Sequence, residues 1–219
     1  TDYPAVLAAL VGECGALARL PPNLVVPAAR RDLPMTTLGE LVRAGLITVE
    51  QASMRMVTEA GDLPVLTAWD VRVSRPPSGR TTAQPGLVTL EPGDVVAPVV
   101  AREPMARVVG ESARTGAGAV LGPQVFCFRV APGRVDPDFL AGFLRAAGGS
   151  GVMRVSTGSS RIDLRRAPIP LLPLAEQRVY GQAFARLAAL HDALRETIAL
   201  GDTLVRLGFT ALAHGTLLP

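Results

Sequence analysis

The sequence predicts an α+β fold: a β-rich domain with short helices, followed by a long C-terminal helix able to pair as a coiled coil. Three observations predict it. Between residues 63 and 130, short apolar runs alternate with Pro-Gly or Gly-rich turns, the pattern of a sheet of short strands. Asp136-Pro137 then sets an N-cap before a first-turn proline, which opens a helix. After Pro173 no proline occurs until Pro219, and apolar residues recur at spacings of three and four, as along a helical seam. The expected division is a helix and Pro-rich linker over 1–35, the β-rich domain over 36–173 and the long helix over 174–219.

Residues 3–19 read as a first helix with Val6, Leu7, Leu10, Val11, Ala16 and Leu17 as its apolar set. Pro21-Pro22 stops it, because proline cannot continue a helix and disfavours helical geometry before it. A Pro-punctuated linker follows to Pro34, and Thr37 is placed to cap a short helix through Arg43, ended by Gly45. Strands are expected over 63–73, 87–90, 95–101, 106–109 and 124–130. The last is apolar on both faces, as an interior strand requires. Pro92-Gly93-Asp94 is a turn in which proline sets one dihedral and glycine takes the strained one. The run Gly116-Ala117-Gly118-Ala119-Val120-Leu121-Gly122 has the glycines of a nucleotide-binding loop. Such a loop must open a helix, whereas Pro123 and a strand-like run follow here, so a tight β-turn is expected.

The helix opened by Asp136-Pro137 carries Phe139, Leu140, Phe143 and Leu144 on one face and is expected to end at Gly148-Gly149. A polar segment over 156–161 leads to a Pro-rich run over 167–173. Beyond it, Tyr180, Phe184, Leu187, His191, Leu194, Ile198, Val205 and Leu212 form the seam, with Gly201 and Gly208 in the intervening slots. A helix of about 40 residues is about 60 Å long, too long to pack along one small domain. Its partner could be the N-terminal helix, a second copy or another subunit. Gly181, Gly201, Gly208 and Gly215 weaken it but would let another helix approach closely.

Hydrophobic residues make up 48% of the 219 and charged residues 19%, which argues against wholesale disorder. No apolar run reaches the roughly 18 residues of a membrane helix, and no secretory signature opens the chain. Thr1 in place of Met points to a trimmed chain or a piece of a longer one. Cys14 and Cys127 are too few for a disulfide framework or a Cys-based zinc site, which suggests a reducing cytoplasm. Every basic residue is Arg. Residues 1–71 hold 5 Arg and 8 acids, residues 72–166 hold 13 Arg and 7 acids, and residues 167–219 hold 4 of each. Positive charge is thus concentrated mid-chain, as in a phosphate-facing domain; a solvated Arg-rich surface is the alternative.

Several passages together resemble one family. Arg134-Val135-Asp136-Pro137-Asp138-Phe139-Leu140 is followed by Gly158-Ser159-Ser160 and then by Ile169-Pro170-Leu171-Leu172-Pro173-Leu174-Ala175-Glu176-Gln177. This order resembles the specificity subunit of type I restriction-modification systems. There a β-rich target-recognition domain closes with a short helix, a polar Gly/Ser loop and a Pro-Leu-Ala-Glu-Gln-like passage that opens a spacer helix. Leu90-Glu91-Pro92-Gly93-Asp94-Val95-Val96 and Thr37-Leu38-Gly39-Glu40-Leu41 are similar to two upstream passages of the family. The resemblance covers residues 36–212 and does not extend to 1–35. Typical members carry two recognition domains and two spacer helices, whereas this sequence holds one set. It resembles a single-domain half-subunit, or the recognition end of a longer methyltransferase or restriction polypeptide.

The resemblance implies a non-catalytic component that reads one half-site of double-stranded DNA and positions an N6-adenine methyltransferase subunit or domain. It implies no cofactor in this chain, S-adenosylmethionine being bound by the methyltransferase partner. It also implies a homodimer or pairing with a second recognition half, through the seam residues named above. Arginines would neutralise phosphates, and a few would reach guanine edges. The candidates are Arg72, Arg75, Arg80, Arg102, Arg107, Arg114, Arg154 and Arg161, helped by Thr157, Ser159 and Ser160. Arg165-Arg166, beside the helix junction, reads as structural. Trp69 could stack on a base, but a lone tryptophan is more often core. His191 and His214 have no Cys or carboxylate constellation near them, so His191 reads as a seam residue and no metal site is expected. The Asn/Asp-Pro-Pro-Tyr/Phe tetrapeptide of DNA amino-methyltransferases is absent, and a nuclease cluster needing Lys is impossible here. The rival of another class is an interaction protein whose β-rich domain binds protein and whose long helix oligomerises it. A free-standing hydrolase finds no nucleophile–base pair.

Overall fold

The computed structural model describes residues 3–29, 31–54, 56–99, 105–147 and 163–218. In chain order the first elements are α1 (Tyr3–Leu17), β1 (Met35–Thr37), α2 (Leu38–Arg43), β2 (Ile47–Gln51) and β3 (Leu63–Leu66). Next come α3 (Ala68–Val73), β4 (Gly79–Thr81), β5 (Val95–Pro98), β6 (Arg107–Val108) and β7 (Val120–Leu121). The chain ends with β8 (Val125–Val130), α4 (Pro137–Ala147), β9 (Pro168–Pro170) and α5 (Leu174–Ala213). Two compact units result, Pro27–Phe184 and Thr1–Val26 with Ala185–Pro219.

In the larger unit a four-stranded antiparallel sheet has the order β2-β8-β5-β6. The expected interior strand is β8: Phe128 faces Val49 on one side and Val95 on the other. Its side chains alternate between two cores, as a period of two requires. Phe128, Val95 and Ala97 pack with Leu38, Leu41, Phe139, Leu140 and Leu144 of α2 and α4. Cys127, Val125 and Val96 pack on the other face with Leu66, Val71, Leu90 and Leu121. Burial, with Asp94 nearby, pushes the Cys127 thiol above its ordinary range, so it stays a neutral core side chain. A second sheet orders β4-β3-β7, and β1 pairs with β9.

The capping signals act where expected. The Thr37 side chain accepts the Glu40 N–H while the Glu40 carboxylate accepts the Thr37 N–H, and Gly45 beyond the helix takes φ +69°. Asp136 caps α4 by accepting the Phe139 N–H at 2.8 Å. Gly93 sits at φ +90° in the Pro92-Gly93-Asp94 turn. Gly116 and Gly118, at φ +111° and +74°, make the expected turn ahead of β7 rather than a phosphate loop.

Other expectations need correction. The strand over 63–73 stops at Leu66, because Thr67 and Asp70 form a capping box that turns the chain into α3. The run over 87–90 is not a strand; Thr89 makes an isolated bridge to Val120. The strand over 95–101 ends at Pro98, and that over 106–109 shortens to β6. The expected helix stop at Gly148-Gly149 lies outside the described residues.

The junction of α4 and α5 explains the Pro-Leu-Ala-Glu-Gln passage physically. Gln177 is buried at the head of α5; it accepts the Asp136 N–H at 3.0 Å and donates to the Leu172 carbonyl at 2.9 Å and the Arg134 carbonyl at 3.4 Å. Three backbone groups of the two segments that lead into α4 and α5 are thereby satisfied by one amide. A Cβ at Gly181 would overlap Asp136 Oδ1, and one at Gly142 would overlap the Phe184 ring. Phe139, Phe143, Tyr180 and Phe184 then stack edge-on or tilted, with centroids 4.8–6.4 Å apart.

In the smaller unit α1 pairs antiparallel with the distal part of α5. The Tyr3 ring lies 3.3 Å from where a Gly208 Cβ would sit, and Arg186 Nη2 donates to the Arg19 carbonyl at 3.2 Å. On α1, Tyr3, Val6, Leu10 and Leu17 turn inward, spaced by three, four and seven. On α5, Leu190, Ala193, Leu200, Leu204 and Leu207 are half-buried. The N-terminal helix is therefore one partner of the long helix. Among the described residues no helix is long and apolar enough to cross a membrane.

Candidate nucleic-acid interface

The best-defined polar cluster of the larger unit centres on Asp70, whose side chain is fully buried. Oδ2 accepts the Thr67 N–H at 2.9 Å, the Thr67 hydroxyl at 2.7 Å and the Ser78 N–H at 3.1 Å. Oδ1 accepts the Arg75 Nε–H at 2.6 Å and the Ser78 hydroxyl at 2.8 Å. Burial alone would raise the carboxyl; the Arg75 guanidinium and the Thr67 and Ser78 donors outweigh it and hold it below its ordinary value. The result is a loop over 74–78 pinned at both ends. Ser74 takes φ +53° as the left-handed C-cap of α3, and Ser78 leads into β4.

Of the eleven residues expected to contact DNA, Arg102, Arg154, Thr157, Ser159, Ser160 and Arg161 lie outside the described residues. The other five sit as follows. Arg75 belongs to the Asp70 cluster and also donates to the Ser78 hydroxyl at 2.8 Å. Arg107 on β6 donates to the Arg75 carbonyl at 3.0 Å and the Thr115 carbonyl at 2.9 Å. One guanidinium thereby joins the pinned loop to the 3-10 turn Ala113–Thr115, which carries exposed Arg114. Arg72 lies over the Trp69 ring at 5.5 Å from its centroid. Arg80 donates to the Asp62 carbonyl at 3.3 Å. Trp69 is 52% exposed, so the core placement expected for a lone tryptophan does not hold. Its neighbours Asp70 and Val71 take the inward face of the short helix instead.

Of the seam residues, Tyr180 and Phe184 are occupied inside the larger unit by Phe139 and Phe143. In the smaller unit His191 is exposed, as are Leu187 (40%), Leu194 (45%), Ile198 (64%), Val205 (57%) and Leu212 (51%). At 100° per residue these five and Phe209 form a stripe roughly a third of a turn from the half-buried one. Gly201 lies among them with nothing within 4 Å of its Cβ position.

Sequence reasoning missed Asp70, Ser78 and the Asp94–Arg129 pair. Arg129 Nε donates to Asp94 Oδ1 at 3.2 Å, and its Nη2 donates to the Thr89 carbonyl at 2.6 Å, fixing the Pro92-Gly93-Asp94 turn. The signal for Asp70 was present as Thr67-x-x-Asp70, a capping spacing. No sequence signal marks the Arg129 contact, which spans 35 residues.

Neither a family model nor a curated protein matches the sequence. Solved structures do match in fold. A chain from the structural study of complex assembly and conformational transition in the type I R-M system is 19% identical at a TM-score of 0.52, over 96% of this chain and 51% of that one. The type I restriction-modification S subunit from M. genitalium is 13% identical at a TM-score of 0.55, over 94% of this chain and 56% of that one. The HsdS subunit from Thermoanaerobacter tengcongensis is 19% identical at a TM-score of 0.45, over 92% of this chain and 48% of that one. This chain spans about half the length of those it matches. With its β-rich unit, its capped α4–α5 junction and its long helix, the chain has the fold of about half of a type I restriction-modification S subunit.

Proposed function

We propose that this chain is the sequence-reading, non-catalytic component of a type I-like restriction-modification system. The larger unit reads one half of a bipartite site in double-stranded DNA, and the helical unit docks an N6-adenine methyltransferase and pairs with a second recognition half. The observation that carries the reading is the half-length S-subunit fold, with one β-rich unit and one spacer helix. The arginine-rich stretch over 72–166 supports it, since 13 Arg against 7 acids suits a phosphate-facing surface. The exposed stripe from Leu187 to Leu212 is the surface a second half would cover. In this scheme the chain supplies binding energy and register, the partner binds S-adenosylmethionine and flips the target base, and the helix sets the spacing of the half-sites.

The test is selection of bound sequences from a random duplex pool by the purified protein, alone and with the methyltransferase partner. A gapped, partly palindromic motif is expected, with affinity falling steeply as salt rises. A single ungapped motif would place the chain as one recognition half of a longer polypeptide. A flat salt response with no enrichment under either condition refutes the reading and leaves a protein-binding role.

A further inference from the structure

Trp69 combines three properties. It is 52% exposed on a two-turn helix whose inward face is already filled by Asp70 and Val71. The helix is held rigidly, by the Thr67–Asp70 capping box at one end and the Ser78–Asp70–Arg75 bonds at the other. The indole is also paired: Arg72, one turn on, lies with its guanidinium carbon 5.5 Å from the ring centroid, which orients the cation over the π-face. Further positive charge lies on the loop that follows this helix: Arg107 bonds both the Arg75 and the Thr115 carbonyls, bringing that loop beside the turn that carries Arg114. Arg80 follows two residues after Ser78.

Resting on the DNA-reading function proposed above, we infer that Trp69 is a DNA-contacting residue. Its indole packs against an apolar groove edge, a thymine methyl or a deoxyribose face, while Arg72 meets an adjacent phosphate. A rigidly mounted, half-exposed aromatic loses little side-chain freedom on contact, so its burial is retained as affinity. The occupant is DNA rather than an apolar peptide because the Arg72 guanidinium lies over the ring, and the carboxylate of the same helix, Asp70, is buried and paired with Arg75.

Trp69 is the sole tryptophan of the chain, so its emission reports this position alone. The duplexes recovered by selection are titrated into the protein, following both anisotropy of the labelled duplex and tryptophan emission. Quenching that saturates in step with the anisotropy is the expected result. Trp69→Ala should bind on the order of ten- to seventy-fold more weakly, from burial of about half an indole, and Trp69→Phe should recover part of the loss. The slope of log affinity against log salt should be unchanged in Trp69→Ala and should fall by about 0.9 in Arg72→Gln, which gives up one phosphate. Duplex binding with unaltered emission and an unaffected Trp69→Ala variant overturns the contact while leaving DNA recognition standing. No duplex binding by the unmodified protein at low salt removes the recognition function itself and makes this face a protein-binding surface.

Discussion

Asp70→Asn preserves the shape of a buried side chain while removing its charge and one acceptor oxygen. Asp70 accepts from five donors among the described residues, and two of them, the N–H groups of Thr67 and Ser78, are fixed in the backbone. With the amide nitrogen at the Oδ2 position, both backbone donors face a donor. At the Oδ1 position only Arg75 does, and its side chain is 46% exposed and can turn to water. The second orientation wins, and its cost is one charge-assisted bond, about 2–3 kcal/mol. Asp70→Ala leaves every donor unmatched and should cost about 3–5 kcal/mol. In urea the Asn variant should unfold about 1 M earlier. A double-mutant cycle with Arg75→Ala should return a coupling of about 1.5–3 kcal/mol, because the Asn variant has already lost that bond. The pH dependence carries a sign. The folded carboxyl lies below its ordinary value, so its stabilisation is complete above the usual aspartate range and is lost as pH falls through the depressed value. Asp70→Asn should flatten that part of the acid limb. An Asn variant within about 0.5 kcal/mol of the unmodified protein at neutral pH would refute the clamp.

Gln177→Ala removes three backbone partnerships at the α4–α5 junction and should lower stability by about 2–3 kcal/mol, read as a drop in thermal midpoint; an unchanged midpoint would sink the junction argument. Asp138 behaves oppositely to Asp70. Burial and then the neighbouring Asp136 raise its carboxyl, so its ionisation weakens the fold as pH climbs through and above the ordinary aspartate range. Asp138→Asn should therefore stabilise at neutral pH and match the unmodified protein in acid, checked by urea midpoints at two pH values.

Much of this architecture was legible wherever one local rule dominated. Thr37, Pro92-Gly93, Asp136-Pro137 and the proline-free run after Pro173 each act through a few neighbouring residues, and each element appears close to where it was expected. Failures arose where two rules competed. Over 63–73 the β-branched and apolar residues favoured a strand, but the Thr67-x-x-Asp70 hydrogen bonds won and made α3. The two-residue strands β6 and β7 carry too little pattern for periodicity to detect. The same competition explains Tyr180 and Phe184. Their spacing matches the outer seam, yet the space left by Gly142 draws Phe184 onto α4.

The arginine surplus shows why composition points to a class of ligand without pointing to its contacts. Arg75, Arg107 and Arg129 lie within the positively charged stretch, and each is committed to a carboxylate or to backbone carbonyls of its own chain. A planar guanidinium with five donors is well suited to that task, and every such commitment subtracts from the donors available to phosphate. Removing Arg107 or Arg129 would disturb loop geometry before it altered any external contact, so loss of DNA binding on their substitution would not identify them as readers. In the DNA-reading role proposed above, the candidates for discrimination among the described residues sit on the scaffold these residues build: Trp69 with Arg72 on α3 and Arg114 on the adjoining turn. On this division, substitutions in the scaffold lower unfolding midpoints and affinity together, whereas substitutions at the exposed positions change affinity or salt slope at constant stability.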